Sequence, residues 1–200
     1  MKSLFDESEY FDESFTGLRF EEEKLDGVRF YDCVFTDCHF AGTAFRDCKF
    51  TGCSFVRCDL NGIRIADTAF SQASFTGSKL VGINWTEADW PRIAVPGLLK
   101  FEGCTLNHST FIGLELPQCV ITGCLAKDVD FREANLAAAD MRDTDFSESL
   151  FGDTDLRGAD FSDAVNYAID PSANRLSQAL FSLPEALSLL HHMDIRLNDD

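Results

Sequence analysis

From Phe5 onward, every fifth residue is large and apolar: Phe5, Tyr10, Phe15, Phe20, Leu25, Phe30, Phe35, Phe40, Phe45, Phe50, Phe55, Leu60, Ile65, Phe70, Phe75, Leu80, Trp85 and Trp90. The register then slips by one. It resumes at Phe101 and runs through Leu106, Phe111, Leu116, Ile121, Ala126, Phe131, Leu136, Met141, Phe146, Phe151, Leu156 and Phe161. Two residues before each of these, a second position is mostly small, as at Cys33, Cys38, Thr43, Cys48, Ala134, Ala139 and Thr144. The positions between are mostly polar or Gly. A period of five fits neither a 3.6-residue helix nor a period-2 strand. It fits a solenoid in which each five-residue segment turns one large and one small side chain inward, and stacked coils bury ladders of like residues.

Two segments depart from the rhythm. The slip contains PRIAVPGLLK, and its prolines and glycine predict a break in the ladder over 91–100, with a short outward loop carrying Pro91, Arg92, Pro96 and Gly97. A bulge that only absorbs one residue is the structural reading; a loop that touches a partner is the functional one. After Phe161 the repeat is expected to stop, so that a repeat domain spans 1–167 and a helix and tail span 168–200. Ser182 followed three residues later by Glu185, with Pro184 between, predicts a capping box and an α-helix to about Met193. Its apolar stripe, Leu183, Ala186, Leu187, Leu190 and Met193 with the trailing Ile195, predicts both a cap on the solenoid and a two-fold dimer interface.

Composition narrows the chemistry. With 19 Phe against 3 Tyr and 2 Trp, the chain repeats one packing environment many times. A net charge of −17 disfavours direct binding to nucleic acid or to an anionic membrane, and favours basic partners. No stretch approaches the roughly 20 apolar residues of a membrane helix, and the start lacks the apolar segment of a signal peptide, so a cytoplasmic protein is expected. All eight Cys occupy the small inward position, which explains them as compact buried residues; their nearest spacing of five is unlike a zinc motif. The four His (His39, His108, His191 and His192) lie apart from any nucleophile that could be exposed. There is no phosphate-cradling loop and no HExxH. An enzyme is not expected, nor a cofactor or metal.

The repeats, with blocks such as CKFTG, TDLRG and ADFSD, resemble the pentapeptide-repeat family. The resemblance implies an all-β fold, a right-handed quadrilateral β-helix with four faces, and hence four segments, per coil, closed by the C-terminal α-helix. At about 4.8 Å per coil, residues 5–165 would rise roughly 40 Å. With four segments per coil, Asp140 stacks on Asp160, Asp143 on Asp163, Glu133 on Asp153 and Asp128 on Glu148. Residues 127–163, which hold these eight together with Asp130, Asp145 and Asp155, sum to −7, whereas residues 27–82 sum to +1. Like charges one coil apart repel. Two readings stand for this tract: acidic residues as good corner formers, or a local mimic of duplex DNA, which carries one charge per about 1.7 Å.

Three further tracts, GINWTEADWP at 82–91, VNYAID at 165–170 and FSLPEALSLLHHMDIRL at 181–197, are similar to those of the topoisomerase-protecting pentapeptide proteins. These include the Qnr group and, closest, the albicidin self-resistance proteins. The resemblance implies a homodimer joined through the C-terminal helices, a surface like duplex DNA, and DNA gyrase (and topoisomerase IV) as the protein partner, protected from an antibiotic. Many Qnr proteins carry two sizeable loops, and here only the interruption near 91–97 corresponds. A scaffold or adaptor with an unrelated protein partner is the alternative.

Overall fold

The computed structural model describes Phe5 and residues 7–193. The five-residue segments wind into a right-handed parallel β-solenoid of about nine turns. Four segments make one coil, so each side of the tower holds one segment per coil; the sides are lettered A to D in chain order. Side A carries the strands Glu9–Phe11, Arg29–Tyr31, Lys49–Thr51 and Ala69–Ser71. Side B carries Ser14–Thr16, Val34–Thr36, Ser54–Val56, Ala73–Thr76, Leu99–Glu102 and Val120–Thr122, then Asp160–Phe161 and Leu180–Phe181. Side C is held by single bridges such as His39 to Asp59 and Asp59 to Lys79. Side D begins with Lys24–Asp26 and Ala44–Arg46.

Because every coil repeats the same four segments, the register puts like on like. Phe15 pairs with Phe35 and Phe35 with Phe55, and their rings stack at 5.0 and 4.8 Å. Neighbouring sides meet edge to face, as at Phe30 and Phe35, whose planes are 75° apart. Aromatic rings favour both arrangements, so one residue type satisfies the vertical and the lateral contact. That explains the bias toward Phe.

The small inward position does more than fill space. Cys58 Sγ donates to the carbonyls of Phe35 and Val56, Ser78 Oγ to those of Phe55 and Thr76, and Thr144 Oγ1 to those of Ile121 and Arg142. Cys, Ser and Thr share this column because each offers one short donor. The eight thiols are buried and unpaired, and among the described residues no group of His, Cys, Asp or Glu is arranged to hold a metal ion.

Corners form two residues after most large inward residues, where the backbone is left-handed. Gly fills many of these positions and Asp fills Asp12, Asp32, Asp37, Asp47, Asp67, Asp128, Asp143, Asp153 and Asp163. Asp tolerates this conformation better than most side chains.

Two expectations about the C-terminal end need correction. The ladder does not stop at Phe161 or at 167: Phe181 pairs with Phe161 and stacks on it at 5.1 Å. An irregular stretch at 166–174 hides the rhythm, with Tyr167 buried in place of the exposed Asn166. The terminal helix, Glu185–Met193, is also a 3-10 helix rather than an α-helix. Its expected capping box does not close on itself. Ser182 Oγ instead accepts from Asp163 N–H and Glu185 Oε1 from Asn166 N–H, both on the coil below. Those two bonds tie the helix to the tower.

Candidate interaction surfaces

The acidic residues fall into two structural classes. Asp130, Asp140, Asp145, Asp155 and Asp160 directly precede a large inward position, and each side chain accepts the backbone N–H two residues on. In three cases that next-but-one residue is Arg. Arg132, Arg142 and Arg157 then grip Asp130, Asp140 and Asp155 with Nη2–Oδ2 distances of 2.6, 2.7 and 2.6 Å. Hydrogen bonding to Arg holds these three carboxyls below the usual range. The sequence signal for this pairing is the triplet Asp-x-Arg, which recurs at 130–132, 140–142 and 155–157 and which the charge pattern alone does not single out. The second class, Asp128, Glu133, Asp143, Glu148, Asp153 and Asp163, sits at left-handed corners and is exposed.

The eleven carboxylates do not share one surface. Glu133 and Asp153 stand on the corner between sides D and A, Asp128 and Glu148 between C and D, Asp130 on D, Asp145 on C, and Asp155 on A. Asp155 is only 9% exposed and also lies 3.8 Å from Arg175. Asp128 pairs with His108 and Glu148 with Lys127. One group does converge. On side B and its corner toward C, Asp140 is in register with Asp160, while Asp143 and Asp163 hold equivalent corners one coil apart. Arg142 reaches both Asp140, at 2.7 Å, and Asp160, at 3.9 Å. This single cation offsets repulsion inside a group of four acids. Near the chain start, Glu9, Asp12 and Glu13 stand on or beside the first strands of sides A and B and are exposed.

The interruption is a loop. Residues 91–97, with Pro91, Arg92, Pro96 and Gly97, are all exposed, and Ile93 is 80% exposed. The chain re-enters at Leu98 and Leu99, both buried.

At the C-terminal end, Leu183, Leu187 and Met193 are exposed, Ala186 and Leu190 are half-buried, and Leu189 packs on the core. A 3-10 helix repeats every three residues, so Leu187, Leu190 and Met193 line one edge. Leu180, on the last strand of side B, is exposed as well. Ile195 lies outside the described residues. No helix among the described residues is long and apolar enough to cross a membrane.

Residues 28–100 match the family model described as Pentapeptide repeat region, and residues 127–163 the one described as Pentapeptide repeats (8 copies). No curated protein matches the chain. Among solved structures, a trypsin-treated variant of QnrB1, a plasmid-mediated fluoroquinolone resistance protein, is similar with a TM-score of 0.71 at 15% identity, covering 95% of this chain and 98% of that one. A second such QnrB1 variant gives 0.62 at 17% identity, covering 92% and 100%. At these identities the likeness is one of fold.

Proposed function

The chain belongs to the pentapeptide-repeat family, and we propose that it is a DNA-mimicking partner of DNA gyrase that protects the enzyme from a topoisomerase-targeting antibiotic. The observation that carries this reading is the convergence of Asp140, Asp143, Asp160 and Asp163 on one side of a slender tower. Fixed carboxylates on a rigid scaffold offer a basic, DNA-binding surface the charge pattern it is built to receive. The overall charge of −17 disfavours nucleic acid itself as the ligand.

The second support is position. The acidic group lies next to the C-terminal helix, which Ser182 and Glu185 tie to the coil of Asp163 and Asn166 and whose apolar edge carries Leu187, Leu190 and Met193. A second copy docked two-fold on that edge would join both acidic groups into one negative centre. The likeness of fold to QnrB1, itself a fluoroquinolone resistance protein, agrees with this reading.

The test is gyrase supercoiling in the presence of a fluoroquinolone and, separately, of albicidin, with topoisomerase IV decatenation run alongside. Purified protein should restore supercoiling in at least one drug arm. Replacing Asp140, Asp143, Asp160 and Asp163 together by Lys should abolish the effect while circular dichroism stays unchanged. Gyrase that responds to drug identically with and without the protein would overturn the proposal and point to a scaffold with another partner.

A further inference from the structure

Each coil of the tower is stitched to the next by its backbone, and the basic residues take part in the stitching. Arg29, Lys49, Arg64 and Lys79 donate their backbone N–H groups to Ser8, Val28, Thr43 and Cys58, one coil earlier. The carbonyls of Arg132 and Arg142 accept from Gly113 and Gly123 in the same way. Among the described Lys and Arg residues, Arg92 alone stands outside every strand, bridge and backbone bond between coils.

Arg92 sits in the loop. The ladder bond before it is Asp89 N–H to Thr68 O, and the bond after it is Gly97 N–H to Pro117 O, both at 3.0 Å. From Trp90 to Pro96 no backbone group bonds to another among the described residues, and residues 91–97 are exposed throughout. A protease draws an extended stretch of chain into its cleft on both sides of the bond it cuts, which is why exposed loops are nicked first. A segment held rung to rung can be drawn out only by opening its coil. The stretch around Arg92 can be drawn out as it stands, and it offers a cationic side chain followed by Ile93.

The contacts that join the tower across the loop do not pass through it. On side B, Ala73–Thr76 pairs with Leu99–Glu102. On side C, Lys79 bridges to Thr105, and on side D, Asn84 bridges to Thr110. Inside, Trp85 stacks on Phe111 at 5.6 Å and meets Phe101 edge to face at 5.4 Å. Cys104 Sγ and Ser109 Oγ donate back to the carbonyls of Phe75 and Leu80. This surface, aromatic within and hydrogen-bonded along three sides, resembles a domain core cut in two, as in obligate assemblies. Either half alone would expose those rings and an open row of strand amides.

We propose that the Arg92–Ile93 bond is a proteolytic modification site for an endoprotease that selects a basic side chain, and that the cut protein persists as one two-piece tower. Hydrolysis adds one water across the amide. Its oxygen goes to the Arg92 carbonyl carbon, which becomes a carboxylate, and both its hydrogens end on the Ile93 nitrogen, which leaves as an α-ammonium. The cut alters the loop and leaves Asp140, Asp143, Asp160, Asp163 and the terminal helix on intact coils. Loop and tower are thereby separable, whatever partner either one meets.

Limited digestion of the full chain with trypsin, read by mass spectrometry and native size exclusion, tests this. The cut between 92 and 93 should appear at least roughly 100-fold sooner than any other internal cut. Trimming at Lys2 or Arg196, which lie outside the described residues, has no bearing on the internal cut. The two pieces should elute together where the uncut protein elutes, with unchanged far-UV circular dichroism, and should separate only in urea. Arg92→Gln, and Ile93→Pro, which keeps the arginine but makes its bond resistant to trypsin, should each survive the same digestion without an internal cut. None of these readouts involves gyrase, so the result stands apart from the reading above. A first internal cut at another Lys or Arg, a chain left uncut, or pieces that part or aggregate without denaturant would overturn the proposal.

Discussion

Phe101 stacks on Phe75 with ring centroids 5.1 Å apart and planes 13° apart, although the whole 91–97 loop lies between them in the chain. Phe75 stacks on Phe55, one uninterrupted coil below, almost identically, at 4.9 Å and 10°. The insertion is therefore taken up wholly outside the column. Phe101→Ala should lower stability by about 3–5 kcal/mol, whereas Pro91→Ala, in the exposed loop, should change it by less than about 0.5 kcal/mol. Urea unfolding of the two variants would show the contrast. Equal effects would mean that the column is not continuous across the loop.

Ala138 occupies a corner with φ of 55°, a conformation in which a Cβ crowds the following carbonyl. This corner, one coil after Gln118, thus lacks both glycine and a side chain able to bond locally. Ala138→Gly should raise stability by about 1 kcal/mol, and Gly113→Ala, at φ of 68°, should lower it by a similar amount. Both sites are exposed, so packing does not confuse the comparison. A destabilising Ala138→Gly in a urea titration would contradict the backbone argument.

The five-residue rhythm made the tower legible in the sequence because each segment turns the same two positions inward. The same rhythm could not show what breaks it. A slip of one in the register is equally the mark of a one-residue bulge and of a longer insertion that replaces part of a segment, and only pairing of Ala73 with Leu99 decides between them. Likewise Asn166 stands where a large residue belongs, so the continuation to Leu176 and Phe181 was masked by one irregular corner. Acid rows followed from the four-segment coil, but which rows face the same way depends on the order of the sides. Spacing alone therefore grouped Asp155 with Asp143, although one is held between two Arg side chains and the other is exposed at a corner.

Burial pushes the thiols of Cys53 and Cys119 up to about 12, from an ordinary value of 9.0. Above pH 9 the unfolded chain loses these protons while the folded chain keeps them. Folding is then linked to proton retention, and stability should fall as pH rises from 9 toward 12 and be unaffected by these groups below 9. The double variant Cys53→Ser, Cys119→Ser should flatten that decline; at position 53 the serine can keep the bonds that Cys53 Sγ makes to the carbonyls of Phe30 and Thr51, as Ser78 Oγ does in the neighbouring column. Urea unfolding at pH 8, 9.5 and 10.5 would measure it. An identical slope in wild type and variant would show that these thiols do not titrate on unfolding.

Tyr167 is 2% exposed, and its hydroxyl has no hydrogen-bond partner among the described residues. Burial, with the Glu185 carboxylate adding to it, pushes the phenol up to about 12. An unsatisfied buried hydroxyl costs free energy that a phenylalanine ring of the same shape would not. Tyr167→Phe should therefore hold or raise stability by up to about 1 kcal/mol and leave the terminal helix docked. Ser182→Ala removes an acceptor that Asp163 N–H uses at 3.1 Å, so it should cost about 1 kcal/mol and loosen the same helix. Urea midpoints together with amide exchange at Asp163 would read both effects. A Tyr167→Phe variant less stable than wild type by more than about 1 kcal/mol would mean that the hydroxyl has a partner, and that the last coil closes differently from the arrangement described for Tyr167 and Glu185.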